Sequence, residues 1–169
     1  MAVAVRIEVP EHRRDTVTIP SAELQLTIDD LSVPVDEDLW RRLVRSILTG
    51  EARTLRISVV VVGDETIAQI HEESMGDPSV TDVIAFDLAG DGPMEGCDED
   101  VDGEILVNAQ LAVREAAEQG HSPEAELLFY VAHGLLHLLG FDDSTDAERL
   151  AMHRKQAEYL AAVGVFVKE

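Results

Sequence analysis

PEAELLFYVAHGLLHLLGFDD (123–143) decides the reading of this chain. Apart from its first residues, the segment up to Leu139 is apolar almost all round, with Leu127, Leu128, Phe129, Val131, Leu135, Leu136, Leu138 and Leu139. A helix of that kind runs through an interior rather than along a surface. Ser122 before Pro123 gives it a start, by side-chain capping and by the fixed φ of proline. His133 and His137 are its polar exceptions, and four residues of helix place both imidazoles on one face, about a turn apart. Gly140 can take the left-handed conformation that ends a helix and reverses the chain, which would bring Asp143 back under the histidines.

The pattern H-x3-H-x2-G-x2-D therefore offers two nitrogens and one carboxylate to a single divalent ion, with a fourth tetrahedral position open to water, as in a catalytic zinc site. The expected metal set is His133, His137 and Asp143, holding one zinc per chain. Asp142 competes as third ligand, or as an acceptor that orients a histidine. Zinc would lower the pKa of bound water to about 7 and polarise a phosphoryl or carbonyl oxygen. In helical zinc peptidases the residue after the first histidine is the glutamate base; here it is Gly134, which counts against a peptidase. No separate catalytic base can be named.

Outward from this helix, LRISVVVVGD (55–64) is β-branched and almost continuously apolar, the pattern of a strand buried on both faces at the centre of a sheet. TDVIAFDL (81–88) and GEILVN (103–108) read as further strands, and the Pro-punctuated opening is β-rich. Leu39, Leu43, Val44, Ile47 and Leu48 give an amphipathic helix over 36–49 whose outer face carries Arg41, Arg42 and Arg45. Those arginines either form a local basic face or pair with Asp36, Glu37 and Asp38. Asp64 is expected to cap a helix reaching about Met75, stopped by Gly76 and Pro78. Further helices are expected over 109–119, 123–139 and 146–162, the last opened by capping-box spacing from Thr145 to Glu148. From Ala89 to Asp102 the chain is glycine-rich and acidic, the composition of a solvated hairpin loop. The expected fold is α+β: one domain over 1–169, about four strands in a mixed sheet with about five helices, and the metal-bearing helix near the C-terminus.

Composition bounds the function. The chain has 169 residues, enough to bury a core without disulfides, and its single cysteine, Cys97, suits a reducing cytosol. No apolar run approaches a membrane span, so the expected location is cytoplasmic. Thirteen Lys plus Arg against 34 Asp plus Glu give a net charge of −21, which repels polyanions at long range. Composition thus argues against a nucleic-acid partner, although the motifs lead towards one.

HGLLHLLGFDD (133–143) resembles the signature of the YbeY endoribonuclease family, also called the rRNA maturation factor family, usually H-G-x-L-H-L-x-G-[YF]-D-H. TDVIAF (81–86) is similar to its P-T-D-V-L-S-F strand, GEILVN (103–108) to its G-D-I-x-I-S strand, and GHSPEAELLFYVAHG (120–134) to its lead-in helix. With Met152 and Leu160 resembling the closing helix, the likeness covers roughly 55–164. It implies a metal-dependent, single-strand-specific endoribonuclease acting in 16S ribosomal RNA 3′-end processing, ribosome maturation and ribosome quality control. The implied partners are ribosomal RNA and the ribosome or its proteins, with no DNA and no membrane. Two departures stand out. Asp143 occupies the place of a usual third histidine, and Met75 falls where many members carry an arginine able to clamp a phosphate. Two rivals remain: a ribosome-assembly factor with a structural metal, and a metallohydrolase of a non-RNA substrate. His71, His121 and Ser122 could lie near the site, or could serve surface and capping roles.

Overall fold

The computed structural model describes residues 19–20, 24–88 and 101–168. The acidic stretch 89–100, with Cys97, and most of the opening segment lie outside the described residues. Strands β1 (Ile19–Pro20), β2 (Leu24–Ile28), β3 (Ile57–Val62), β4 (Val83–Asp87) and β5 (Gly103–Asn108) form one mixed sheet in the order β1-β2-β3-β5-β4. The two-residue β1 adds an edge to the expected four. β3 is the middle strand, parallel to β2 and to β5, with Val59 beside Leu26 on one side and Ile105 on the other. β4 returns antiparallel along β5, and β1 along β2.

Period-2 alternation sends the side chains of β3 to two different cores. Ile57, Val59 and Val61 face helices α1 (Glu37–Gly50), α3 (Ala109–Gln119), α4 (Pro123–Leu138) and α5 (Asp146–Ala162), in a core that also takes Leu24, Leu26, Ile105 and Val107. Val60 and Val62 face the other way with Leu106 and Ile84, where α2 (Asp64–Met75) covers them through Ile67 and Ile70. A strand covered on both faces has no fully solvated positions, which is why 57–62 reads as a nearly continuous apolar run broken only by the buried Ser58.

α4 is the spine. Leu127, Leu128, Val131, Leu135 and Leu136 are fully buried, each contributing about 1.5–3 kcal/mol by leaving water. Ser122 accepts a hydrogen bond from the Ala125 amide at 3.1 Å, and Pro123 opens the helix, as the sequence predicts. Glu124, in its first turn, accepts from the Trp40 indole at 3.1 Å and from the Asp36 amide at 2.6 Å, which locks the start of α1 to the start of α4. The capping box of α5 is present, with Thr145 and Glu148 each accepting from the other's backbone.

The start of α2 corrects one expectation. Gly63, not Asp64, is the N-cap, and no side chain of the cap residue bonds the helix. A Cβ at Gly63 would lie 2.8 Å from an Asp30 carboxylate oxygen and 3.1 Å from the Gln110 amide nitrogen, so close approach of those groups calls for glycine. Asp64 is instead the first helical residue. Its carboxylate takes a two-pronged bond from Arg114, at 2.8 and 3.0 Å, and a third from Asn108 at 2.8 Å. Gly76 ends α2 with φ 73°, as expected. Among the arginines of α1, Arg41 approaches Glu37 at 4.0 Å and donates to the Leu24 carbonyl at 3.2 Å, and Arg42 is exposed.

Candidate metal centre

α4 brings His133 and His137 onto one face with their Nε2 atoms 3.0 Å apart, the rings nearly perpendicular at 81°. Gly140, at φ 97°, turns the chain after α4, while the Phe141 amide bonds back to the Leu136 carbonyl at 3.1 Å. This closure puts an Asp143 carboxylate oxygen 3.4 Å from both Nε2 atoms. Arg149 holds the loop from outside by donating to the carbonyls of Asp143 and Ser144 at 3.1 and 3.3 Å.

The tautomers follow from the partners rather than from visible hydrogens. Nδ1 of His137 lies 3.0 Å from the Phe141 carbonyl, which can only accept, so in the neutral ring this nitrogen carries the proton and leaves Nε2 bare. Gln156 sets the tautomer of His133. Its amide nitrogen donates to the Phe129 carbonyl at 3.2 Å, which turns its oxygen towards Nδ1 of His133 at 3.3 Å. That nitrogen must donate, and the second Nε2 is bare as well.

Two lone pairs and a carboxylate thus face one point. Such a group is repulsive unless a cation sits among its members. Tetrahedral bonds of about 2.0–2.1 Å put neighbouring ligand atoms about 3.3–3.4 Å apart, so separations of 3.0, 3.4 and 3.4 Å fit one small metal ion. His133, His137 and Asp143 together form a group that could hold it. Burial, the largest influence, pushes the His133 imidazolium below the ordinary histidine range, against the opposing pull of Gln156 and Asp143. A neutral ring is what ligation requires. The three side chains keep 22, 33 and 35% of their surface exposed, so a substrate can reach the point they share.

Asp142 serves the turn instead. One of its oxygens accepts from the Asp143 amide and from the Ser144 hydroxyl, both at 2.7 Å, and the Ser144 hydroxyl is the main reason its carboxyl lies below the usual range. Gly134 has a packing reason. A Cβ there would come within 2.9 Å of Ile105 and 3.1 Å of Val83, so β4 and β5 leave no room for the side chain a peptidase carries at this position. Met75 is 63% exposed at the end of α2.

The other candidates have structural partners. Nδ1 of His71 lies 2.9 Å from the Ser79 carbonyl, His121 pairs with Glu126 against the start of α4, and Ser122 caps that helix. Gln156, Phe141 and Arg149 were missed by sequence reasoning. For Gln156 a signal existed, since it is a polar residue on the buried i, i+4 stripe between Met152 and Leu160.

A mixed sheet backed by helices, with two histidines on the central helix and an aspartate from the loop that follows, defines an α+β protein with a solvent-reached group that could hold one metal ion. The chain belongs to the Endoribonuclease YbeY family, whose profile matches residues 25–164. Endoribonuclease YbeY of Moorella thermoacetica is 34% identical over 153 residues, covering 85% of this chain and 98% of the relative. That of Symbiobacterium thermophilum is 37% identical over 136 residues, covering 76 and 87%. Among solved structures, the solution structure of TM1509 from Thermotoga maritima is similar at a TM-score of 0.56 and 27% identity, covering 83% of this chain and 88% of that one.

Proposed function

We propose that residues 1–169 act as one domain, a cytoplasmic zinc-dependent endoribonuclease that cuts single-stranded RNA. Its role would be in 16S ribosomal RNA 3′-end processing, ribosome maturation and ribosome quality control, with the ribosome or its proteins as partners. Family membership supports the reaction class. The observation that carries the chemistry is the convergence of two bare imidazole nitrogens and a carboxylate within 3.4 Å of one another.

In this reading His133, His137 and Asp143 hold the zinc, which when bound supplies Lewis acidity towards a phosphoryl oxygen and towards water. Gln156 and the Phe141 carbonyl keep both rings in the ligating tautomer. Arg149 holds the Asp143 loop closed. Asp143 in place of a third histidine keeps a competent ligand while lowering the positive charge at the site.

The test joins metal content with cleavage. Untagged protein should carry one zinc per chain by plasma mass spectrometry, keep it in Asp142→Ala and lose it in Asp143→Ala. Wild type should cut a single-stranded RNA and spare a duplex, while His133→Ala and Asp143→Ala lose cleavage with an unchanged circular dichroism spectrum. Protein that takes up no metal after zinc is supplied would sink the proposal.

Met75 favours a second reading, a ribosome-assembly factor whose metal only stabilises the fold, because that position lacks the family's phosphate-clamping arginine. Unfolding of His137→Ala, with no cleavage by zinc-loaded wild type, would select it.

A further inference from the structure

A strand of RNA that reaches the metal centre must bind a chain whose net charge of −21 repels its phosphates. Contact with the uncharged bases escapes that repulsion. Aromatic side chains are the usual platforms for unpaired bases, and each stacked base tightens binding by roughly fivefold to a hundredfold. A cavity of about 380 Å³ between α4, α5 and the C-terminal segment offers such a platform. Its volume falls within the range of small-ligand sites, roughly 300–1,000 Å³.

Phe129 and Val167 wall the cavity with apolar surface, while Leu150, 52% exposed, and the exposed His153 stand at its edge. The Phe129 and His153 rings meet edge to face, their centroids 5.5 Å apart at 83°, so the two aromatic planes steady each other. The C-terminal segment closes the far side, where the Lys168 amide donates to Nδ1 of His121 at 3.5 Å. The other nitrogen of His121 is taken by Glu126. That pair answers its own charge, so what the aromatic walls ask for is an uncharged planar group. The Gln119 amide, also lining the cavity, can donate to or accept from the edge of such a group.

Both helices tie the cavity to the metal centre. Phe129, His133 and His137 follow at four-residue spacing on one face of α4, so the cavity begins one turn, about 6 Å, from the first histidine. On α5, His153 lies four residues after Arg149, which holds the Asp143 loop. Gln156 stands between the two places, bonded to the Phe129 carbonyl and to Nδ1 of His133. We infer that the cavity walled by Phe129 and His153 receives a base of single-stranded RNA beside the phosphate at the metal centre. The occupant follows from the endoribonuclease reading, and the location from the cavity itself. Every base has a π face, so the pocket should accept all four with little preference.

The test titrates zinc-loaded protein, by fluorescence anisotropy at low salt, with a labelled 2′-O-methyl single-stranded oligomer and with the same oligomer made abasic throughout. Electrophoresis checks that both stay intact. Wild type should prefer the strand that carries bases. His153→Ala should weaken that strand roughly fivefold to tenfold and leave the abasic strand at its wild-type affinity. His153→Phe, which returns a ring without the nitrogens, should recover most of the loss, and Phe129→Leu should behave like His153→Ala with an unchanged circular dichroism spectrum. The pocket is overturned by a wild type that binds both strands equally or neither, by His153→Ala weakening both strands alike or neither, or by His153→Phe doing no better than alanine. If base-dependent affinity follows His153 while zinc-loaded wild type cuts no single-stranded RNA, the pocket stands and the nuclease reading falls. If RNA is cut while His153→Ala holds the base-bearing strand as wild type does, the reverse applies.

Discussion

Gln156 donates from its amide nitrogen to the Phe129 carbonyl and accepts from Nδ1 of His133 through its oxygen, so a buried glutamine fixes which nitrogen of that histidine faces Asp143. The relation is directional, because the Phe129 carbonyl permits only one orientation of the amide.

Replacing Gln156 with leucine keeps the volume and removes the acceptor. Zinc affinity should fall about 10–100-fold, the usual effect of losing a group that orients a ligating histidine. Gln156→Glu, which retains an acceptor oxygen, should lose less. Competition with a chromophoric chelator measures both, and equal affinities in wild type and Gln156→Leu would remove the orienting role.

Gly134→Ala introduces the Cβ that meets Ile105 and Val83. Strand and helix must separate or the side chains must leave their rotamers, at a cost of about 1–3 kcal/mol. Urea unfolding should show a lower midpoint with an unchanged m-value. A midpoint at the wild-type position would mean that α4 has slack against the sheet.

Acid stability should depend on Asp64. The Arg114 guanidinium, the largest influence, holds the Asp64 carboxyl below its ordinary range, with Asn108 assisting and burial opposing. A lowered folded pKa means that the unfolded chain binds the proton more tightly. The stabilisation is therefore complete above the ordinary carboxylate range and is lost as pH falls through the folded value. Arg114→Gln should flatten the acid limb of a plot of stability against pH, while an unchanged limb would show that other carboxylates control it.

The alkaline limb has its own reporter. Burial, and then the Glu51 carboxylate that accepts the Tyr159 hydroxyl at 2.5 Å, push this phenol up from 10.0 to about 12. Its raised folded pKa contributes stability that is present below the unfolded value and is lost as pH rises towards 12. Burial pushes the other tyrosine, Tyr130, higher still. Ultraviolet titration should therefore show both phenolates forming above the ordinary range, with Tyr159 the earlier of the two, and Glu51→Gln should bring that earlier step down. A step unaffected by Glu51→Gln would assign the shift to burial alone.

Local rules made much of this readable. The run 57–62 looked central because it lacks fully solvated positions, and 109–119, 123–138 and 146–162 carry their helical periods and caps in the chain itself. His133, His137 and Asp143 were readable because helical spacing and a glycine turn bring them together without help from the sheet. Asp64 was expected as the cap where Gly63 stands, since the requirement for glycine comes from Asp30 and Gln110, distant in sequence. Gln156 was passed over because its partners lie on another helix, and Gly134 was noticed for what it excludes, while the neighbours that demand glycine belong to β4 and β5. Interactions within one turn are written locally, whereas those across the core depend on packing.

The order of the chain has a consequence for its synthesis. All five described strands precede His133, and Gln156 follows Asp143. A polypeptide growing from its N-terminus can therefore complete the sheet before any ligand leaves the ribosome, and it gains the residue that orients His133 only after all three have been made. In the proposed reading ion capture would be a late event in biogenesis, and a nascent chain stalled before α5 would carry His133, His137 and Asp143 without the residue that fixes the His133 tautomer.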